Sequence, residues 1–114
     1  MTLDSPNNAQ VSRVGLSRIV YVSIGNSDDK LTQLEWSCFV DEVDDACRVH
    51  GNVHGSWFSL PGGPWQNACW CVAVELARER SLKGRLKHFA GQYEQDSIAY
   101  AVVTHTEFLA PRRG

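Results

Sequence analysis

No stretch of this chain approaches the ~18 consecutive apolar residues that a membrane-spanning helix needs. Nor does it carry a strong charge of one sign. Eleven Lys and Arg against thirteen Asp and Glu leave a net charge of −2, which gives no general attraction to nucleic acid or to an anionic membrane. Its opening residues, MTLDSPNNAQVSRVGLS, have neither a basic start nor an apolar run, so no secretory signal is expected there. Metal-ligand spacing is absent too: there is no C-x₂-C pair, and Gly51 separates His50 from His54 where a helical H-x₃-H would need continuity. A G-x-S-x-G nucleophile turn is missing, and GNSDDK lacks the glycine spacing of a phosphate loop. Repeats and low-complexity segments are also absent. These gaps exclude membrane spans and leave no recognisable catalytic or cofactor signature.

What remains is the composition of one globular domain, with 114 residues and 43% hydrophobic content. Four cysteines without a secretory signal point to reduced thiols and a cytoplasmic setting. Cys69 and Cys71 stand two apart on one face of a strand, too close for an ordinary disulfide. Residues 1–16 are polar and non-periodic and read as a leader. A single domain is expected over 17–110, followed by a basic tail over 111–114.

Within that domain the apolar periodicity alternates between strand and helix. Arg18–Ile24 is a β-branched strand, closed by the turn-forming run Gly25-Asn26-Ser27-Asp28-Asp29. Thr32 and Glu35 have the spacing of a capping box, in which each side chain satisfies the other residue's backbone N–H. Trp36, Phe39, Val40, Val43 and Cys47 then form one helical stripe, and Gly51 is placed for a left-handed cap. Strands are predicted over Val53–Leu60, Asn67–Leu76 and Ser97–Thr104. A second helix is predicted from Ser81, with Leu82, Leu86, Phe89, Ala90 and Tyr93 on its inner side. The order β-α-β-β-α-β is that of an α+β, ferredoxin-like domain with a four-stranded antiparallel sheet and both helices on one face.

The two strands expected at the centre are apolar or small on both faces. In the third strand Trp70, Val72, Val74 and Leu76 are expected to point one way and Cys69, Cys71 and Ala73 the other. Two helices cover one side only, so the other side is expected to receive a partner, a ligand or a second copy of the chain. A homodimer through this face or through an edge strand follows as an expectation.

The hairpin loop Ser59–Asn67 is the most unusual local stretch. It holds two prolines, two glycines and Trp65. Trp57, Phe58, Trp65 and Trp70 fall within fourteen residues and could form a stacking platform, with Gln66 and Asn67 as hydrogen-bonding partners of whatever stacks there. The competing possibility is that Trp57 and Trp70 pair across the hairpin inside the core. The cysteines and histidines are best explained without metal or cofactor, Cys47 as part of a buried stripe. Charge is polarised. Seven acids lie between Asp28 and Asp45 against one Lys30, and five bases lie between Arg78 and Lys87 against one Glu79. Neutralisation between the two helices is the plain expectation, and a basic helix meeting nucleic-acid phosphate or an acidic partner is the alternative.

Asp28 and Asp29 stand where the first strand hands over to the first helix, an edge at which carboxylates can hold Mg²⁺. In topology, in size and in this one aspartate the chain is similar to the CRISPR-associated Cas2 family of small dimeric nucleases. That resemblance implies metal-dependent cleavage using Asp28 or Asp29 across a dimer axis. The residues themselves favour a different expectation, a non-enzymatic binding or interaction module of regulator or inhibitor type. Its contact surface would comprise Trp57, Trp65, Gln66, Asn67 and Trp70 on the hairpin, together with the open sheet face.

Overall fold

The computed structural model describes residues 16–26 and 28–112; the leader expected over 1–16 lies almost wholly outside them. Six elements follow in order: β1 (Ser17–Gly25), α1 (Gln33–His50), β2 (Asn52–Phe58), β3 (Asn67–Glu75), α2 (Leu76–Gln92) and β4 (Ala99–Val102). The strands form one antiparallel sheet in the order β2-β3-β1-β4. This is the α+β ferredoxin-like arrangement that the element order predicts. No helix among the described residues is long and apolar enough to cross a membrane.

Period-2 alternation in the central strands builds the core. Val20, Val22 and Ile24 of β1 and Trp70, Val72 and Val74 of β3 face the helices and are buried. Against them α1 places Phe39, Val43, Ala46 and Cys47, and α2 places Leu82, Leu86 and Phe89. Tyr93 stacks on Phe39 with ring centroids 4.7 Å apart and donates its hydroxyl to Glu42, so the C-terminal end of α2 is tied to the middle of α1. Trp70 has no solvent exposure; its indole N–H reaches Asp44 Oδ1 at 2.9 Å, giving the largest core side chain its one polar partner.

The capping box of α1 forms as expected: the Glu35 N–H donates to Thr32 Oγ1 at 3.1 Å, and the Thr32 N–H to Glu35 Oε1 at 2.8 Å. Gly51 does not take the left-handed cap. Its φ of −160° is extended, and glycine is needed there for space: a Cβ would stand 2.7 Å from both the Ala73 carbonyl oxygen and a Val72 methyl. The second helix begins at Leu76, five residues before the expected Ser81. The chain passes from strand to helix through Glu75, which makes no side-chain cap, so no turn or cap residue marks the change. At its other end the Glu94 N–H bonds the Gly91 carbonyl and the Gln95 N–H bonds the Ala90 carbonyl, with Glu94 at φ +54°. This is a Schellman ending with glutamate where glycine is usual. The outer strands are shorter than expected, β2 ending at Phe58 and β4 spanning only Ala99–Val102.

Candidate functional site

The face of the sheet opposite the helices is lined by small and apolar side chains in all four strands. Ile19, Tyr21 and Ser23 of β1 stand beside Ala73, Cys71 and Cys69 of β3, and Ala99 and Ala101 of β4 continue the row. Polar groups on this face bond to one another. The Ser23 hydroxyl donates to Cys69 Sγ at 3.3 Å, and a hydrogen bond with Cys71 raises the pKa of the Tyr21 hydroxyl. Trp57, opposite Cys69 in the register, belongs to the same face and is 56% exposed. A Cβ added at Gly55 would lie 2.9 Å from the far edge of the Trp57 indole, so the ring folds back over that glycine. A β-bulge between Val53 and Gly55 gives β2 the offset that puts Trp57 and Gly55 on this side.

Trp57 and Trp70 therefore do not pair. Ser56 stands opposite Trp70, and the two tryptophans are on opposite faces of the sheet. Phe58 meets Trp70 edge-on instead, at 5.7 Å and 85°. Of the residues singled out on the hairpin, Trp57 and Trp65 present their rings outward, while Trp70 lies in the core as support.

At the tip, the β1–α1 loop and the β2–β3 loop come together as one structure, although the sequence treats them as separate. Asn26 and Gln66 are buried. The Asn26 backbone N–H donates to the Gln66 carbonyl at 2.8 Å, and its side-chain amide donates to Gln66 Oε1 and to the Leu31 carbonyl, both at 3.1 Å. Gln66 and Gln33 exchange two amide hydrogen bonds at 3.0 and 2.9 Å. Gln66 is thus occupied within the protein, and its role is to fix the tip. Asn26 stood out in the sequence only as one residue of a turn-forming run and Gln33 not at all, because an amide beside a strand end or a helix start looks like an ordinary turn or surface residue.

Over this polar knot sits a crease of about 310 Å³, walled by Gly62, Gly63, Pro64 and Trp65 on one side and by Asp29 and Gln33 on the other. Pro61 and Gly62, the latter at φ +72°, turn the chain; the Gly63 N–H returns to the Leu60 carbonyl at 3.4 Å. Trp65 is 71% exposed and holds the left-handed value φ +61°, a conformation that costs a non-glycine residue about 1 kcal/mol. The Asn67 side chain clamps the Trp65 carbonyl at 2.8 Å, and the Asn67 N–H is taken by Ser59 Oγ at 2.9 Å. Asp29, at φ +57°, is the other strained residue of the crease. The exposed Asn67 amide holds Trp65 by its carbonyl and the Asp29 N–H bonds the Asn26 carbonyl at 3.0 Å, with the indole facing outward.

Asp28 is engaged locally: the Lys30 N–H donates to its carboxylate at 3.3 Å, and the Lys30 ammonium lies 3.9 Å away. Among the described residues no group of three or more His, Cys, Asp or Glu gathers where it could hold a metal ion. Nor does any ion pair among them join the acidic stretch of α1 to the basic stretch of α2. Arg48 pairs with Asp44 in its own helix, Arg78 with Glu75, and Arg18 with Glu79. The expected neutralisation between helices does not form, and Lys83 and Arg85 lie over the Tyr100 and Phe89 rings at 5.0 and 4.7 Å. Compared with protein-family models, with curated proteins and with solved structures, the chain matches none of them.

Proposed function

We propose that the chain is a non-enzymatic binding module of regulator or inhibitor type, which pairs with a second copy through its open sheet face and offers Trp65 at the hairpin tip to a further partner. One observation carries the reading: an apolar face spans all four strands, and a 56%-exposed tryptophan lies across it. A contiguous patch of this kind is unusual on a monomer and marks a contact surface. Tyr and Trp are the side chains most often found as interface anchors, since they bury a large rigid area at small entropic cost. At the tip the polar groups are bonded to each other, and the indole is left as the recognition element.

Light scattering at micromolar concentration tests the pairing. The expected mass is twice the 12.7 kDa of one chain, returning to 12.7 kDa in Tyr21→Glu, where a carboxylate sits in the middle of the face. A wild-type chain that stays at 12.7 kDa overturns the pairing. Thermal melts of three alanine variants sort the tryptophans. Trp65→Ala keeps the melting temperature and Trp57→Ala lowers it only as far as it weakens the pairing, whereas Trp70→Ala loses the about 3–5 kcal/mol typical of a core tryptophan.

A further inference from the structure

Beyond β4 the described chain is exposed at every residue from Thr104 to Arg112. The Val103 N–H donates to the Ile19 carbonyl at 2.9 Å, and from Thr104 onward the segment belongs to no helix or strand. Phe108 and Leu109, adjacent in this arm, are 93% and 86% exposed, the two most exposed large apolar side chains among the described residues. Within the arm His105 Nε2 lies 3.9 Å from a Glu107 carboxylate oxygen.

A groove of about 360 Å³ runs between α2 and the start of β4. Its floor is apolar, made by Leu86, Ala90, Ile98 and Tyr100, and Lys83 and Lys87 stand on its rim. Neither lysine takes part in an ion pair with the described residues. β4 is an outermost strand, so its far side has no neighbour in the sheet. The groove lies beside the first residues of β4, while the arm leaves from the last. Folding back would need a reversal, yet Thr104–Glu107 holds none of the Gly, Pro, Asn or Asp residues that make one.

We infer that each arm docks into the α2–β4 groove of a second copy, with Phe108 and Leu109 on the apolar floor and Glu107 between the second copy's Lys83 and Lys87. The charges match further along the segment, since Arg112 of the arm can face Asp96, which lines the same groove. Twofold symmetry makes the exchange reciprocal, two arms filling two grooves. The inference rests on the reading that two copies pair. Sheets packed face to face stand about 10 Å apart. The five Cα steps from Val103 to Phe108 can span about 17 Å, which exceeds that gap.

Sedimentation equilibrium on the full chain tests this, with Phe108→Ala/Leu109→Ala as the first variant. The expected result is a dimer dissociation constant raised at least tenfold, with an unchanged melt of the dilute monomer, because these side chains support nothing in their own chain. Glu107→Lys and Lys83→Glu/Lys87→Glu should each weaken the dimer, and the triple variant combining them should restore it. A dissociation constant unchanged in Phe108→Ala/Leu109→Ala, or a triple variant no tighter than its parents, overturns the arm exchange. Tyr21→Glu separates the two ideas: if it dissociates the dimer and the arm variants do not, the open-face reading stands and the arm falls. The converse pattern leaves the arm standing and removes the open face from the interface. A wild-type chain that is monomeric at all concentrations overturns both.

Discussion

Replacing Trp70 by phenylalanine separates packing from hydrogen bonding at the centre of the core. Phenylalanine keeps one ring against Phe58, and loses the indole N–H that meets Asp44 Oδ1 at 2.9 Å. A hydrogen bond to a charged group contributes about 1.5–3 kcal/mol. The Asp44 side chain is 31% exposed and keeps Arg48 at 3.0 Å, so the freed oxygen can recruit water and the loss falls at the low end, about 1.5 kcal/mol. The missing second ring leaves a void of roughly 40 Å³, which at about 24 cal/mol per Å³ adds about 1 kcal/mol. A total near 2.5 kcal/mol lowers the melting temperature by about 10–20 °C in a domain of this size. Acid distinguishes the two parts. Burial pushes the Asp44 carboxyl up, but the bonds from Arg48 and Trp70 outweigh it and hold the group below the ordinary carboxylate range. A depressed carboxylate stabilises fully above its unfolded value, ~3.9, and loses that contribution as pH falls through its lower folded value. Urea denaturation at pH 7 should therefore show the full deficit. In acid, once Asp44 is protonated, the deficit should shrink towards the packing part alone. An equal deficit at both pH values would refute the role given to the indole–carboxylate bond.

Three further outcomes follow from the same fold. Gly51→Ala should lower stability by about 1–3 kcal/mol in thermal melts, because its methyl overlaps the Ala73 carbonyl and a Val72 methyl while the backbone itself is unstrained. Burial, with the charge of Asp44 adding, pushes the Cys47 thiol up to about 12, and burial with the Glu42 bond pushes Tyr93 up to about 12. Both raised groups contribute fully below their unfolded values and lose that contribution as pH rises towards 12, so alkaline unfolding should set in above the ordinary thiol and phenol ranges. In the native chain at neutral pH a maleimide should label exposed Cys38 and leave Cys47 untouched until denaturant is added.

Elements whose residues serve a single structural purpose were the ones readable in the sequence. The stripe from Trp36 to Cys47 and the alternation from Cys69 to Val74 each state a period and a face, and the structure keeps both. The start of α2 was hidden because Leu76-Ala77-Arg78-Glu79-Arg80 carries no cap, and Ser81, the first residue that resembles one, lies within the helix. The place of Trp57 was hidden by the bulge at His54. One extra residue changes which side chains share a face, and strict alternation cannot register it. The tip was half visible. Prolines and glycines announced the loop, but the bond between Asn26 and Gln66 joins residues forty positions apart, and no local pattern encodes a contact at that range.

The place of β1 in the sheet has a consequence for how the chain is made. β1 is synthesised first among the described strands, lies inside the sheet, and pairs with β3 and β4, which come much later. Translation proceeds at about 5–20 residues per second, so several seconds pass in which β1 has neither neighbour. During that interval Ile19, Val20, Tyr21, Val22 and Ile24 present apolar surface on both sides and unpaired backbone on both edges. α1 forms meanwhile and can shelter one side only. For that interval the nascent chain carries an unpaired apolar strand, and two such chains expose matching strand edges to one another.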